Sequence, residues 1–414
     1  MILWYRRSAY NRKRPIVLAN IPTIIQPANC LRIILTLLHS FPYKLIIFPA
    51  FYAHFSTTII FPDSHDSAGI ILRNFAAKTA NTMTLSILFL LISLAVILFG
   101  ANMLVDGSSA LARRFGMSDV TVGLTVVAFG TSTPELAISI VSALDGATSL
   151  TVGNVVGSNI FNILAIIGLT AVVRPLTVEK TVMSQQMPLM FLSAVVLLML
   201  GNSRLLDGTP TDLITRTSGL FLLLLFALFM VFTVRTAKAD RQEDRNLTAG
   251  THAPMRADTT IKPLPVWKQI VWIIAGLAGL VWGGDKFVES SSALASQLGM
   301  NEALIGLTIV AMGTSLPELA ASIVAAVKGN PGLAVGNVIG SNIFNATLVL
   351  GAGAVCSPLS LGTIGNIDLL VLTGASLIFW LEGRAWGTRI INRYEGAILL
   401  VGYIAYTAWL IASA

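Results

Sequence analysis

From residue 83 onward the chain alternates between long apolar runs and short polar breaks. A run of about 20 apolar residues is long enough to cross a bilayer as a helix. Ten such runs are predicted, at 84–104, 119–143, 150–172, 187–201, 217–236, 268–288, 302–327, 332–354, 366–381 and 394–412. The longest polar interruption among them, Thr236 to Lys268, is rich in charges and carries Pro254, Pro263 and Pro265, so it reads as a linker. The predicted organisation is a first five-helix half at 83–236, a linker at 237–267 and a second five-helix half at 268–414. An odd number of spans per half sends the second half into the membrane upside down. The expected fold is an all-α polytopic membrane protein with about ten transmembrane helices arranged as two inverted five-helix repeats.

The sequence repeats itself across that linker. Gly-Leu-Thr-Val-Val-Ala-Phe-Gly-Thr-Ser-Thr-Pro-Glu (Gly123 to Glu135) returns as Gly-Leu-Thr-Ile-Val-Ala-Met-Gly-Thr-Ser-Leu-Pro-Glu (Gly306 to Glu318), and the offset, 318 minus 135, is 183. Gly-Asn-Val-Val-Gly-Ser-Asn-Ile-Phe-Asn (Gly153 to Asn162) returns as Gly336 to Asn345 at the same offset. The register runs without a gap from Gly100/Gly283 through Met117/Met300 to Pro175/Pro358.

Composition agrees with the pattern: 55% of residues are apolar and 11% charged, against roughly 25% charged in a soluble domain. The net charge of +7 comes without a basic cluster on a soluble module, so it does not point to nucleic acid. It records a sidedness instead. Arg113, Arg114, Arg174, Lys180, Arg235, Lys328, Arg389 and Arg393 fall on one face together with the linker's basic residues, and Arg204, Arg216 and Lys286 on the other. The positive-inside bias then places the linker in the cytoplasm, and both ends of the ten-helix core outside. Trp272, Trp282 and Trp386 read as interface anchors.

Several chemistries drop out. Cys30 and Cys356 cannot build a thiolate metal site, and His39, His54, His65 and His252 all lie outside the repeated blocks. No Gly-rich loop with Gly-Lys-Ser/Thr is present to support ATP use, so an ion gradient is the expected energy source. Residues 1–82 do not fit the repeat. They are either upstream sequence with Met83 as the true start, the favoured reading, or an extension with one extra span.

Each copy of the first block puts a glutamate where ionised groups are costly. Pro134 removes a backbone donor and Gly130 loosens the preceding turn, so the helix should break there. Broken helices occur at membrane depth where they line a cavity, and the freed carbonyls can ligate cations. Thr131, Ser132 and Glu135 add hydroxyl and carboxylate oxygens, and Thr314, Ser315 and Glu318 repeat the set from the opposite side. Such a hard oxygen shell suits Ca²⁺ or Na⁺. In the second block the pairs Gly153/Gly157 and Gly336/Gly340 make strips for close helix packing. Ser158 and Asn162 share a helix face, as do Ser341 and Asn345, and read as completing the shell. Asn154, Asn159, Asn337 and Asn342 read as satisfying backbone at breaks and helix ends. Asp106 and Glu289 read as interfacial structural groups that follow the first helix of each half.

At these residues the chain resembles the calcium/cation antiporter superfamily, in its prokaryotic sodium/calcium exchanger branch. The resemblance runs from about Met83 to the C-terminus and rests on the paired Gly-Thr-Ser-x-Pro-Glu and Gly-Ser-Asn-x-x-Asn blocks. It implies one ion-binding centre at mid-membrane with Glu135 and Glu318 as central Ca²⁺ ligands. It implies flanking Na⁺ and Ca²⁺ sites at Thr131, Ser132, Ser158, Thr314, Ser315 and Ser341, with backbone oxygens near Ala128 and Ala311, and Asn162 and Asn345 completing the centre. Some members carry an aspartate where this chain has Asn345, which leaves the Na⁺ stoichiometry open. The implied protein is a secondary transporter and not an enzyme, exchanging Ca²⁺ for Na⁺ by alternating access, with a Ca²⁺/H⁺ or K⁺-linked antiporter as the alternative. Its gate would be the first helices of the halves, 84–104 and 268–288. Its partners are Ca²⁺, Na⁺ and the lipid bilayer, without cofactor or nucleic acid. A multi-pass place in the cytoplasmic (inner) membrane is expected, and a monomer is compatible with these readings.

Overall fold

The computed structural model describes residues 67–208, 211–250, 265–300, 309, 311–362, 364–385 and 389–413. The chain divides into two compact units, Met1–Asn81 and Thr82–Ala414. In the first, the described residues 67–81 are helical. The second holds all of the repeated sequence.

Among the described residues, eight helices are long and apolar enough to cross a membrane, and one bent pair makes a ninth span. In the first half these are α1 (Ser67–Phe115, apolar over Met83–Phe115), the bent pair α2 (Asp119–Thr131) and α3 (Thr133–Leu144), α4 (Thr148–Val173), α5 (Val182–Leu200) and α7 (Arg216–Gly250, apolar over Arg216–Thr236), with the short α6 (Ser203–Asp207) between the last two. In the second half they are α8 (Val266–Gln297), α11 (Pro331–Cys356), α12 (Asn366–Ala385) and α13 (Arg393–Ser413), and between α8 and α11 lie the single turn α9 (Ala311–Gly313) and the shorter apolar helix α10 (Leu316–Val327). The expected span 302–327 is seen as α9 and α10, while 301–308 and 310 fall outside the described residues. Trp386, Cys30 and the four histidines lie outside them too, whereas Trp272 and Trp282 are exposed on α8. The predicted linker is helical to Gly250, and 251–264 is not described.

The first helices of both halves are longer than their apolar runs. Their last turns are polar but still helix-compatible, and each ends where a left-handed glycine stops it: Gly116 (φ 60°) and Gly299 (φ 86°). The Met117 and Met300 N–H groups then return to the Ala112 and Ala295 carbonyls at 2.9 and 3.0 Å, the closure of a Schellman motif. Asp106 and Glu289 therefore lie inside α1 and α8 and do not follow them.

Among the described residues four two-residue strands tie the halves together. Leu176–Thr177 (β1) pairs antiparallel with Ile390–Ile391 (β4), and Leu213–Ile214 (β2) with Leu359–Ser360 (β3). β1 and β3 follow the third span of their halves, and β2 and β4 precede the fifth. Each pair thus joins the two halves, and the repeat exchanges one pair for the other.

Burial ranks the helices. In α4 and α11 the apolar window is 83% buried, against 17% in α1 and 11% in α13. The helices carrying the second block form the middle, and α1 crosses α8 outside it. A Cβ on Gly100 would sit 2.8 Å from the Gly276 carbonyl oxygen, so only glycine allows that crossing. The strip Gly336/Gly340 presses on α2 in the same way, with the Val120 and Leu124 carbonyl oxygens 2.6 and 2.8 Å from the would-be Cβ atoms. The partner that the repeat assigns to Gly153/Gly157 includes undescribed residues.

Candidate ion-binding centre

The break in the first copy falls at Ser132 (φ −84°, ψ 6°), where α2 and α3 meet at 44°. Its counterpart Ser315 (φ −94°, ψ 9°) precedes α10. Pro134 and Pro317 sit in the first turns of α3 and α10, where no intrahelical N–H is owed. Glu135 and Glu318 follow one residue later, in the same first turns. Unpaired N–H groups and the helix dipole favour a carboxylate there. Both glutamates are fully buried.

Ser-x-Pro-Glu in each copy has the spacing of a local capping box, yet neither serine side chain caps its own helix. The hydroxyls are exchanged between copies. Ser132 Oγ donates to Glu318 Oε1 at 3.0 Å, and Ser315 Oγ donates to Glu135 Oε1 at 3.4 Å. Ser341 Oγ also donates to Glu318 Oε1, at 3.5 Å. One carboxylate oxygen of each glutamate is thus held by the other repeat.

Among the described residues the second oxygens, Glu135 Oε2 and Glu318 Oε2, have no hydrogen-bond partner, and neither do Ser158 Oγ, Thr314 Oγ1 or either amide atom of Asn162 and Asn345. Buried polar atoms left unpaired cost on the order of 1–3 kcal/mol each. Six of these eight are carboxylate, hydroxyl and amide oxygens, the donor set of a hard cation, and the other two are the amide nitrogens of Asn162 and Asn345. Among the described residues no group of three or more His, Cys, Asp or Glu side chains converges, so the negative charge of this set is that of two carboxylates.

Of the remaining candidates, Thr131 Oγ1 lies 3.2 Å from Asn337 Oδ1 and 3.4 Å from the Ala128 carbonyl. That carbonyl also accepts the Ser132 N–H at 3.0 Å, so it is engaged at the end of α2. Ala311 opens the turn α9. The asparagines expected to serve backbone mostly do so. Asn159 Nδ2 donates to the Asn342 carbonyl, Asn342 Nδ2 to the Val338 carbonyl and Asn337 Nδ2 to the Glu318 carbonyl. Asn154 Nδ2 instead meets Ser139 Oγ.

Two features escaped the sequence. Ser139 and Ser322 are buried one turn beyond the glutamates, and their i, i+4 spacing from Glu135 and Glu318 was the available signal. The other is the wide winding of the second-block helices, π-helical over Phe161–Ile167 and Asn345–Val349. Both segments begin at or beside the site asparagines, and π turns are frequent at functional sites.

Comparisons with known proteins bear on the family and the fold. The family model described as sodium/calcium exchanger protein matches residues 85–235 and 268–412. The inner membrane protein YrbG of Escherichia coli (strain K12) is 36% identical over 79% of this chain and 97% of its own length. The sodium/calcium exchanger MaX1 of Methanosarcina acetivorans is 31% identical over 78% of this chain and 98% of its own. Among solved structures, the sodium-calcium exchanger NCX_Mj superposes with a TM-score of 0.65 at 30% identity, covering 79% of this chain and 99% of that one. These exchangers are transporters and not enzymes.

Proposed function

We propose, from the premise that this chain belongs to the sodium/calcium exchanger family and is a cation antiporter of the membrane, that it exchanges Ca²⁺ for Na⁺ by alternating access at the Glu135–Glu318 centre. The observation that carries the reading is the crossed pair of serine–glutamate bonds, with the second oxygen of each buried carboxylate left unpartnered. Two carboxylates balance one Ca²⁺. Glu135, Glu318, Ser158, Ser341, Asn162 and Asn345 supply its oxygens, and Thr131, Ser132, Thr314 and Ser315, with carbonyls near Ala128 and Ala311, flank it for Na⁺. Because Ca²⁺ and Na⁺ use overlapping oxygens, they cross on separate half-cycles.

Two uncompensated carboxylates in a low dielectric are costly to move. An ion-free centre therefore does not switch sides readily, which makes exchange obligatory. The sparsely buried α1 and α8, crossing at glycines, are the elements that slide over the core. In this reading the segment between α7 and α8 is cytoplasmic and the protein sits in the cytoplasmic membrane.

The test is ⁴⁵Ca²⁺ uptake into proteoliposomes under an imposed Na⁺, K⁺ or proton gradient. Uptake driven by outward Na⁺ alone is the expected result. Uptake that follows a proton or K⁺ gradient and ignores Na⁺ overturns the Na⁺ coupling and leaves the antiporter.

A further inference from the structure

A hydroxyl that ligates a cation must offer a lone pair, so its proton has to be taken by some other acceptor. The two threonines of the first block differ in this respect. Thr131 Oγ1 has acceptors at Asn337 Oδ1 (3.2 Å) and the Ala128 carbonyl (3.4 Å). Thr314 Oγ1 has no hydrogen-bond partner within 3.5 Å among the described residues, and the acceptor it neighbours is the Glu135 carboxylate of the centre itself.

The Asn337 amide can face only one way. Its Nδ2 donates to the Glu318 carbonyl at 3.3 Å and to Ser322 Oγ at 3.0 Å. A backbone carbonyl only accepts, so the nitrogen is fixed on that side and Oδ1 is turned to Thr131. The side chain is fully buried, in the densely packed α11. It joins a hydroxyl of the first repeat to the backbone of the glutamate of the second. Its repeat equivalent, Asn154, is only part-buried, and its amide nitrogen bonds Ser139 Oγ at 3.3 Å.

We propose that Asn337 is a positioning residue for cation binding: it holds the Thr131 proton away from the centre, so that the Thr131 oxygen meets the ion with a lone pair. This rests on the reading of Thr131 as an ion ligand. The repeat duplicates the asparagine in sequence, but only one copy does this work. Binding at the centre is therefore lopsided, with the Thr131 side aligned in advance and the Thr314 side not.

The experiment is a double-mutant cycle in proteoliposomes of the full chain, reading the Ca²⁺ KM, the Na⁺ half-saturation and the maximal rate. Asn337→Ala is expected to weaken the apparent affinity for Ca²⁺ or Na⁺ about tenfold, which is the loss of one hydrogen bond near 1.4 kcal/mol. The maximal rate should change less. Thr131→Val should weaken the same affinity, and the double variant should be no worse than either single one. Asn154→Ala should shift affinity less than twofold. Independent, multiplying effects of Asn337→Ala and Thr131→Val overturn the positioning role, because Asn337 then acts only through the Glu318 backbone. Unchanged affinities in Thr131→Val alone overturn the ligand reading of Thr131 instead. If Asn337→Ala yields no folded protein, Asn337→Ser carries the same cycle, since serine keeps a polar group there but is too short to hold Thr131.

Discussion

The two ends of the bundle are related by the repeat, yet they are held differently. At the end that carries Lys328, its ammonium reaches Asp106 on α1 at 2.7 Å. Beside it Asn330 Nδ2 donates to Ser109 Oγ at 2.8 Å, and the Arg174 guanidinium donates to the Val327 carbonyl at 2.7 Å. The repeat equivalents at the opposite end are Asp145 with Glu289, Ala147 with Ser292, and Leu144 with Ser357. There the ion pair becomes two acids, and an alanine replaces the asparagine. Glu289 instead bonds Lys286 in its own helix at 2.6 Å, and Ser292 Oγ has no partner among the described residues. The centre, by contrast, keeps its crossed serine–glutamate bonds in both copies. Symmetry survives in the serine–glutamate bonds of the proposed ion-binding centre. It is lost where α1 and α8 meet the core, because the two closures of an antiporter need not be equally stable.

The largest expected effects test the symmetric part. Glu135→Gln and Glu318→Gln keep the side-chain shape and lose the charge, and a charged ligand in a buried shell is worth several kcal/mol. Each should reduce ⁴⁵Ca²⁺ exchange by roughly 100-fold or more while the protein still inserts and purifies. Near-normal flux in both would break the pairing of the two glutamates, and strong loss in only one would show that the centre is less symmetric than its geometry.

Next in size is the exchange of hydroxyls. Ser132→Ala strips a donor from Glu318, not from the glutamate three residues away in its own helix. Hydrogen bonds to charged groups contribute about 1.5–3 kcal/mol, so Ca²⁺ affinity should fall about tenfold. Ser315→Ala, with its longer 3.4 Å bond, should cost less. Unfolding midpoints in detergent sharpen the point. Ser132→Ala should be non-additive with Glu318→Gln and additive with Glu135→Gln, and the reverse pattern would return the serine to a local cap.

Much of this was legible in the sequence. Hydropathy located where the spans lie, and the Gly/Pro positions placed both breaks, because these signals are local. The paired glutamates were readable because the repeat made chance implausible. What escaped depends on neighbours. The pattern Ser-x-Pro-Glu permits a cap within its own helix as well as a bond to the other half, and only packing chooses. A π turn has no residue code of its own, so Asn162 and Asn345 announced a polar face but not the wide winding beside it. Asn154 and Asn337 occupy the same place in the same motif, and only the proximity of Thr131 tells them apart. The long ends of α1 and α8 were missed because apolar length marks where a helix can cross a membrane, not where its hydrogen bonds stop.

The smallest expected effect bears directly on the unequal ends. Lys328 and Asp106 are 30% and 50% exposed at their side chains, and ion pairs with that much solvent are worth ~1 kcal/mol or less. Lys328→Ala should therefore open its end of the bundle only about two- to fivefold more often. Asp145→Lys should do the opposite, giving Glu289 the lysine that the repeat denies it and favouring closure at the other end. Both shifts can be read as thiol labelling in a chain whose two cysteines are replaced by serine. A cysteine at Ser109 reports the Lys328 end, a cysteine at Ser292 reports the Asp145 end, and a water-soluble maleimide is the probe. Lys328→Ala should speed labelling at position 109, and Asp145→Lys should slow it at position 292. Salt should shrink both differences, since screening acts most on exposed pairs. If both variants left both rates unchanged, the polar contacts around Lys328 would be ornaments of the surface, and the bias between the two closures would have to come from the apolar packing of α1 on α8.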